Sequence, residues 1–159
     1  MRITDALNGE HGALYLLMTA IEGAATDSDL TSLQGSARLF ESVILAHAHL
    51  EDDGLFAALE KKMPGGGPVT AMRAEHEEIE GELARVASTR QAPEARAHLE
   101  AAIAAARSHF QKEEVVLFPM AEQLLGADEL EQMGAAWAQT RGVALPAPHR
   151  AATAQTAAR

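Results

Sequence analysis

A chain of 159 residues has the length of one domain and can bury a good core. Its 13 basic residues stand against 23 acidic ones, a formal charge of −10 that repels phosphate backbones and excludes nucleic acid as an expected partner. Cysteine is absent, which excludes disulfides, thiolate zinc sites, iron–sulfur clusters and thiol nucleophiles, so any metal must take nitrogen and oxygen ligands.

Abundant alanine and few aromatics suit close-packed helices, and the fold class expected is all-α. The first helix is predicted from about Thr4 to Gly23, capped by Thr4 or Asp5, with a stripe of Ile3, Leu7, Leu14, Met18 and Ile21 that contains His11. Asp5, Glu10 and His11 precede its apolar run, which is wrong for a signal peptide, and no stretch approaches the ~18 apolar residues of a membrane span. A cytoplasmic protein with no membrane partner is expected. Gly9 and Gly12 flank His11, and each costs about 1 kcal/mol against alanine in a helix interior, so a close neighbour is expected there.

After the polar connection Ala24 to Asp29, a long helix is predicted to about Lys62, with Leu33, Phe40, Val43, Ile44, His47, Glu51, Leu55 and Leu59 on one side. His49 falls about 200° from His47 and faces solvent. Pro64 to Pro68, reading PGGGP, breaks the chain, and a third helix carries the stripe Val69, Met72, His76, Ile79, Leu83 and Val86. Pro93 opens a fourth helix running to about Leu125, with Ile103, Ala106, Val116, Leu117 and Met120 around His109 and Glu113 and a kink expected at Pro119. Gly126 ends it. A short fifth helix follows, with Asp128 and Glu131 as a capping pair and Leu130, Met133 and Trp137 packing over the rest. The domain is read as residues 1–141, and 142–159 as a tail.

His47–Glu51 and His109–Glu113 each place an imidazole and a carboxylate on one helix face, one turn apart. The two motifs belong to a repeat. Glu10, His11 and Leu14 match Glu75, His76 and Ile79, and Leu55–Phe56 match Leu117–Phe118, so the chain is two copies of one hairpin sharing a core. Six candidate metal ligands result: His11, His47, Glu51, His76, His109 and Glu113. Lysine and arginine are missing from the apolar stripes, and an uncompensated buried carboxylate costs several kcal/mol, so a cation from outside is the natural partner.

A ligand set of nitrogen and oxygen without sulfur suits iron, with manganese and zinc as competitors. If both carboxylates bridge, the six side chains fill about eight of the twelve positions of two six-coordinate ions and leave about four, two of them for a bridging oxo or hydroxo group. Small-molecule chemistry is then expected. The acidic run Glu51, Asp52, Asp53 beyond its first member is assigned to solvent, and His98 and His149 lie off the stripes or in the tail. Tyr15 and Glu80, each four residues after a stripe histidine, could edge the centre.

The pattern H, HxxxE, H, HxxxE, with both LF extensions and the Pro after the second, resembles the hemerythrin-like family, also called the HHE cation-binding domain, over about Thr4 to Leu125. The resemblance implies an up-and-down antiparallel four-helix bundle, here with a short C-terminal fifth helix, and a non-haem di-iron centre. Ferritin-like bundles use the reversed order ExxH. The oxygen-carrying members have a further histidine one turn before the third-helix ligand, where this sequence has Met72. Relatives with the six-ligand set are associated with iron sensing, with nitric oxide and iron–sulfur repair, and with peroxide breakdown. The function expected is binding of dioxygen, peroxide or nitric oxide at open iron positions, with peroxide decomposition as a candidate activity, in a monomer or homodimer. The competing reading is a metal- or redox-sensing module that acts through a protein partner.

Overall fold

The computed structural model describes residues 1–63, 65 and 67–146. Among them the chain is all-helical, and the helices form five rods. The first is α1 (Ile3–Ala25). The second joins α2 (Leu30–Leu50), a π-helical segment π1 (Glu51–Phe56) and α3 (Ala57–Lys62). The third is α4 (Gly67–Ser88). The fourth joins α5 (Ala92–Lys112), a second π-helical segment π2 (Glu113–Leu117) and α6 (Phe118–Leu124), and the fifth is α7 (Ala127–Arg141). None of the helices is long and apolar enough to cross a membrane.

Local chemistry explains most boundaries. Asp29 caps α2, its carboxylate accepting the Ser32 backbone N–H at 2.8 Å. Pro68 and Pro93 sit in the first turns of α4 and α5, where a missing donor costs nothing. Gly142 stops α7 with φ of 66°, donating its N–H to the last-turn carbonyls of Ala138 and Gln139. At the start of α1, neither Thr4 nor Asp5 is the cap. Arg2 holds that place, and its own backbone N–H donates to the Asp5 carboxylate at 3.0 Å. Thr4 is buried and donates its hydroxyl to Glu122. The expected pair Asp128 and Glu131 does not cap α7, which begins after Gly126 without a side-chain cap.

The long helices pack on one another as a bundle, with α4 lying along α5, α2 against both, and α1 against α2 and α7. The apolar core is divided. One cluster is built from Leu14, Met18, Phe40, Ile44, Ile79, Leu83, Leu99 and Ile103. The other is built from Ile3, Leu7, Leu55, Phe56, Leu59, Val69, Met72, Leu117, Phe118 and Leu130. Each helix passes from one cluster to the other through a polar position: His11 lies between Leu7 and Leu14, and His76 between Met72 and Ile79.

Three expectations need correction. Val116 is 54% exposed because π2 inserts one residue into the helix after Glu113, turning Val116 outward and bringing Leu117 and Phe118 into the core together. π1 does the same at Gly54, Leu55 and Phe56 without any proline. The irregularity therefore belongs to the ligand turns before Pro119, which sits in the first turn of α6. Val43 is exposed because it lines a groove between α1 and α2. Among the described residues Gly9 and Gly12 have nothing within 4 Å of where a Cβ would stand, and the close approach is instead at Gly134 of α7, where a Cβ would overlap the Met1 carbonyl. His149 and the tail beyond residue 146 lie outside the described residues.

Candidate metal centre

The six residues expected from the sequence come together in the layer between the two apolar clusters. His11, His47, Glu51, His109 and Glu113 are at most 1% exposed, and His76 is 6% exposed. Their donor atoms form two groups, each within 4.8 Å: His11, His47, Glu51 and Glu113 in one, and Glu51, His76, His109 and Glu113 in the other. Both carboxylates belong to both groups, one oxygen facing each. Glu51 turns Oε1 to His47 Nε2 at 3.0 Å and Oε2 to His76 Nε2 at 3.4 Å. Glu113 turns Oε2 to His11 Nε2 at 3.3 Å and Oε1 to His109 Nε2 at 3.4 Å.

Within each group the two imidazole Nε2 atoms are 3.0 Å apart for His11 and His47, and 2.9 Å apart for His76 and His109. Two ligands at right angles on a cation about 2.1 Å away lie about 3 Å apart, so the spacing fits a shared ion. All four oxygens of Glu51 and Glu113 are buried without a hydrogen-bond partner among the described residues. Buried carboxylate oxygens are otherwise paired, and a divalent or trivalent cation is the partner that this arrangement suits.

Each imidazole is held from its other nitrogen by a second carboxylate. Glu10 reaches His47 Nδ1 at 2.7 Å, and its repeat-mate Glu75 reaches His109 Nδ1 at 3.1 Å. Glu114 reaches His11 Nδ1 at 2.9 Å, and its repeat-mate Asp52 reaches His76 Nδ1 at 3.4 Å. A carboxylate on Nδ1 fixes the ring orientation and leaves Nε2 free to ligate. Sequence reading missed this shell and assigned Asp52 to solvent. Its signal was there: an acidic residue precedes the leading histidine of both hairpins, Glu10 and Glu75, and another follows both ligand glutamates, Asp52 and Glu114.

The outer carboxylates are anchored in turn. Trp137 Nε1 and Arg141 Nε donate to Glu10 at 2.8 and 2.6 Å, Arg73 donates to Asp52 at 2.7 Å, and Lys112 donates to Glu75. Burial draws the Glu10 carboxyl upward, but hydrogen bonds from His47, Arg141 and Trp137 outweigh it and hold its pKa at about 2. Burial likewise opposes ionisation of Glu75, and Lys112 and His109 overcome it, leaving it lowered. Among protein groups alone, burial would depress His47 and His109. The facing carboxylates win, raising His47 to about 10 and His109 above its usual value. Glu51 is held below the usual carboxylate range by His47 and His76 despite full burial.

Aromatic rings close the layer. Phe56 stacks on His76 and Phe118 on His11, the two members of one repeat position. Phe110 stacks on His11 at 3.9 Å, whereas its repeat-mate is Ala48, which shares a small depression with His76. Tyr15 lies beside Phe110; burial and the negative charge of Glu114 raise its pKa. Tyr15 thus reaches the centre's edge, while Glu80 is exposed at the rim of the depression beside His76. His49 is exposed, His98 pairs with Glu82, and Met72 is apolar core. A groove of about 450 Å³ between α1 and α2 reaches Glu10, Leu14, Val43, His47 and Arg141.

The family model for the hemerythrin HHE cation binding domain matches residues 2–121. No curated protein and no solved structure matches the chain. Residues 2–121 hold all six converging side chains and all four carboxylates behind them, and the match spans well over half of the sequence. The chain belongs to the hemerythrin HHE cation-binding family.

Proposed function

We propose that this protein holds two iron ions, one against His11 and His47 and one against His76 and His109, with Glu51 and Glu113 spanning both. The reading includes an up-and-down antiparallel arrangement of the four long rods, which gives each a ligand at the same level. The single observation that carries it is the set of four buried, unpartnered oxygens on Glu51 and Glu113, each facing an imidazole nitrogen.

A bound iron pair supplies redox chemistry and coordination positions for a small ligand. The polypeptide's part is to orient and to exclude water. Glu10, Asp52, Glu75 and Glu114 fix the four rings, and the apolar clusters above and below keep the layer dry. Met72 adds no nitrogen donor beside His76. This leaves the second half open to dioxygen, peroxide or nitric oxide, with peroxide decomposition as the candidate turnover. The test is an absorption spectrum of the iron-loaded protein before and after peroxide and nitric oxide. Charge-transfer bands that shift with either support the reading; iron that responds to neither ligand defeats it.

A further inference from the structure

The matched family region ends at residue 121, yet the shell behind the ligands does not. Trp137 and Arg141 of α7 both donate to Glu10, and Arg141 also donates to the Ala46 carbonyl at 2.9 Å. Arg141 engages both Glu10 oxygens, at 2.6 Å to Oε1 and 3.2 Å to Oε2, and Oε2 is the oxygen that takes His47 Nδ1. The equivalent carboxylate behind His109 is held more loosely among the described residues. That carboxylate, Glu75, is held by Lys112, a flexible and half-exposed side chain of α5 itself.

We propose that Trp137 and Arg141 are positioning residues of the metal centre, acting through Glu10 to aim His47 Nε2. On this view α7 makes His47 more firmly aimed than its repeat-mate His109. The planar guanidinium clamps a carboxylate in one orientation, and the indole N–H, carried on a ring packed against the apolar cluster, fixes the same oxygen from a second direction. Glu10 can then neither rotate away nor take up water, so the imidazole it holds presents one nitrogen inward. A helix that only covered the core would need neither donor.

This inference rests on the two-metal reading above, and cobalt titration of the full-length protein separates the two. Two Co²⁺ equivalents with ligand-field absorption are expected for the unaltered chain; no saturable uptake would overturn the metal reading and the clamp with it. Given two equivalents, Trp137→Phe and Arg141→Met should each weaken one of them, together by about tenfold or more, and leave the other within twofold. Arg141→Lys should recover part of the loss. Leu130→Ala, which loosens the packing of α7 without touching Glu10, should lower the melting temperature but not the cobalt affinity. Trp137→Phe keeps the apolar ring, so it tests the clamp even if Arg141→Met folds poorly. The clamp is overturned if both altered donors leave both equivalents unchanged, or if Leu130→Ala reproduces their effect.

Discussion

Each ligand histidine is gripped twice, by a carboxylate on Nδ1 and by the layer its Nε2 enters, and the outer grip is the part most easily tested alone. Glu75→Gln keeps shape and removes charge, so it should weaken metal binding about 10- to 100-fold while leaving helix content intact, read by competition with a chelator. His47 also predicts a pH effect for protein stripped of metal. Its folded pKa of about 10 exceeds the ordinary 6.5, so its contribution is complete below about pH 6.5 and disappears as pH rises through about 10. Thermal melts should show stability falling across that window for stripped protein and little change for loaded protein, in which metal replaces the proton. Four of the inner residues were legible in the sequence because HxxxE fixes a face by helix geometry alone, and His11 and His76 because they fall in the apolar stripes at matching places of the repeat. It left the outer carboxylates unassigned because each reaches a histidine on a different helix, and only the packing shows which.

At the scale of the element, the stripes of α1 and α4 were legible residue by residue, since both are regular over their length. In the second rod Leu55 and Leu59 were also placed correctly and the one miss, Val43, precedes the π turn; in the fourth rod the π turn after Glu113 shifts the apolar register by one residue and no local residue signals it. Val116 was misplaced for that reason. The repeat gave a hint that α-helical periodicity alone could not, namely two adjacent apolar residues, Leu–Phe, at the same offset in both copies. The seat of α7 was equally hidden. Gly134 lets it approach the N-terminus, where the obstacle to a side chain is the backbone of Met1 and Arg2. Gly134→Ala should therefore destabilise the fold by about 1–3 kcal/mol, measured by denaturant unfolding, despite alanine's better helix propensity.

For the whole molecule, a charged layer separates two apolar halves of one core, and among the described residues that layer contains no lysine or arginine to balance its two buried carboxylates. Metal and fold are therefore coupled. At a free metal concentration a hundredfold above the dissociation constant, binding stabilises by about 2.7 kcal/mol, so chelation should lower the melting temperature by about 5–10 °C. His109→Ala should abolish most of that difference. The most direct measurement is metal analysis of the iron-loaded, desalted chain beside Glu51→Gln and Glu113→Gln. Two irons per chain in the unaltered protein, falling to one or none in either variant, is the predicted result. An unaltered chain that retains no iron, or variants that retain two, would contradict a centre built on shared carboxylates.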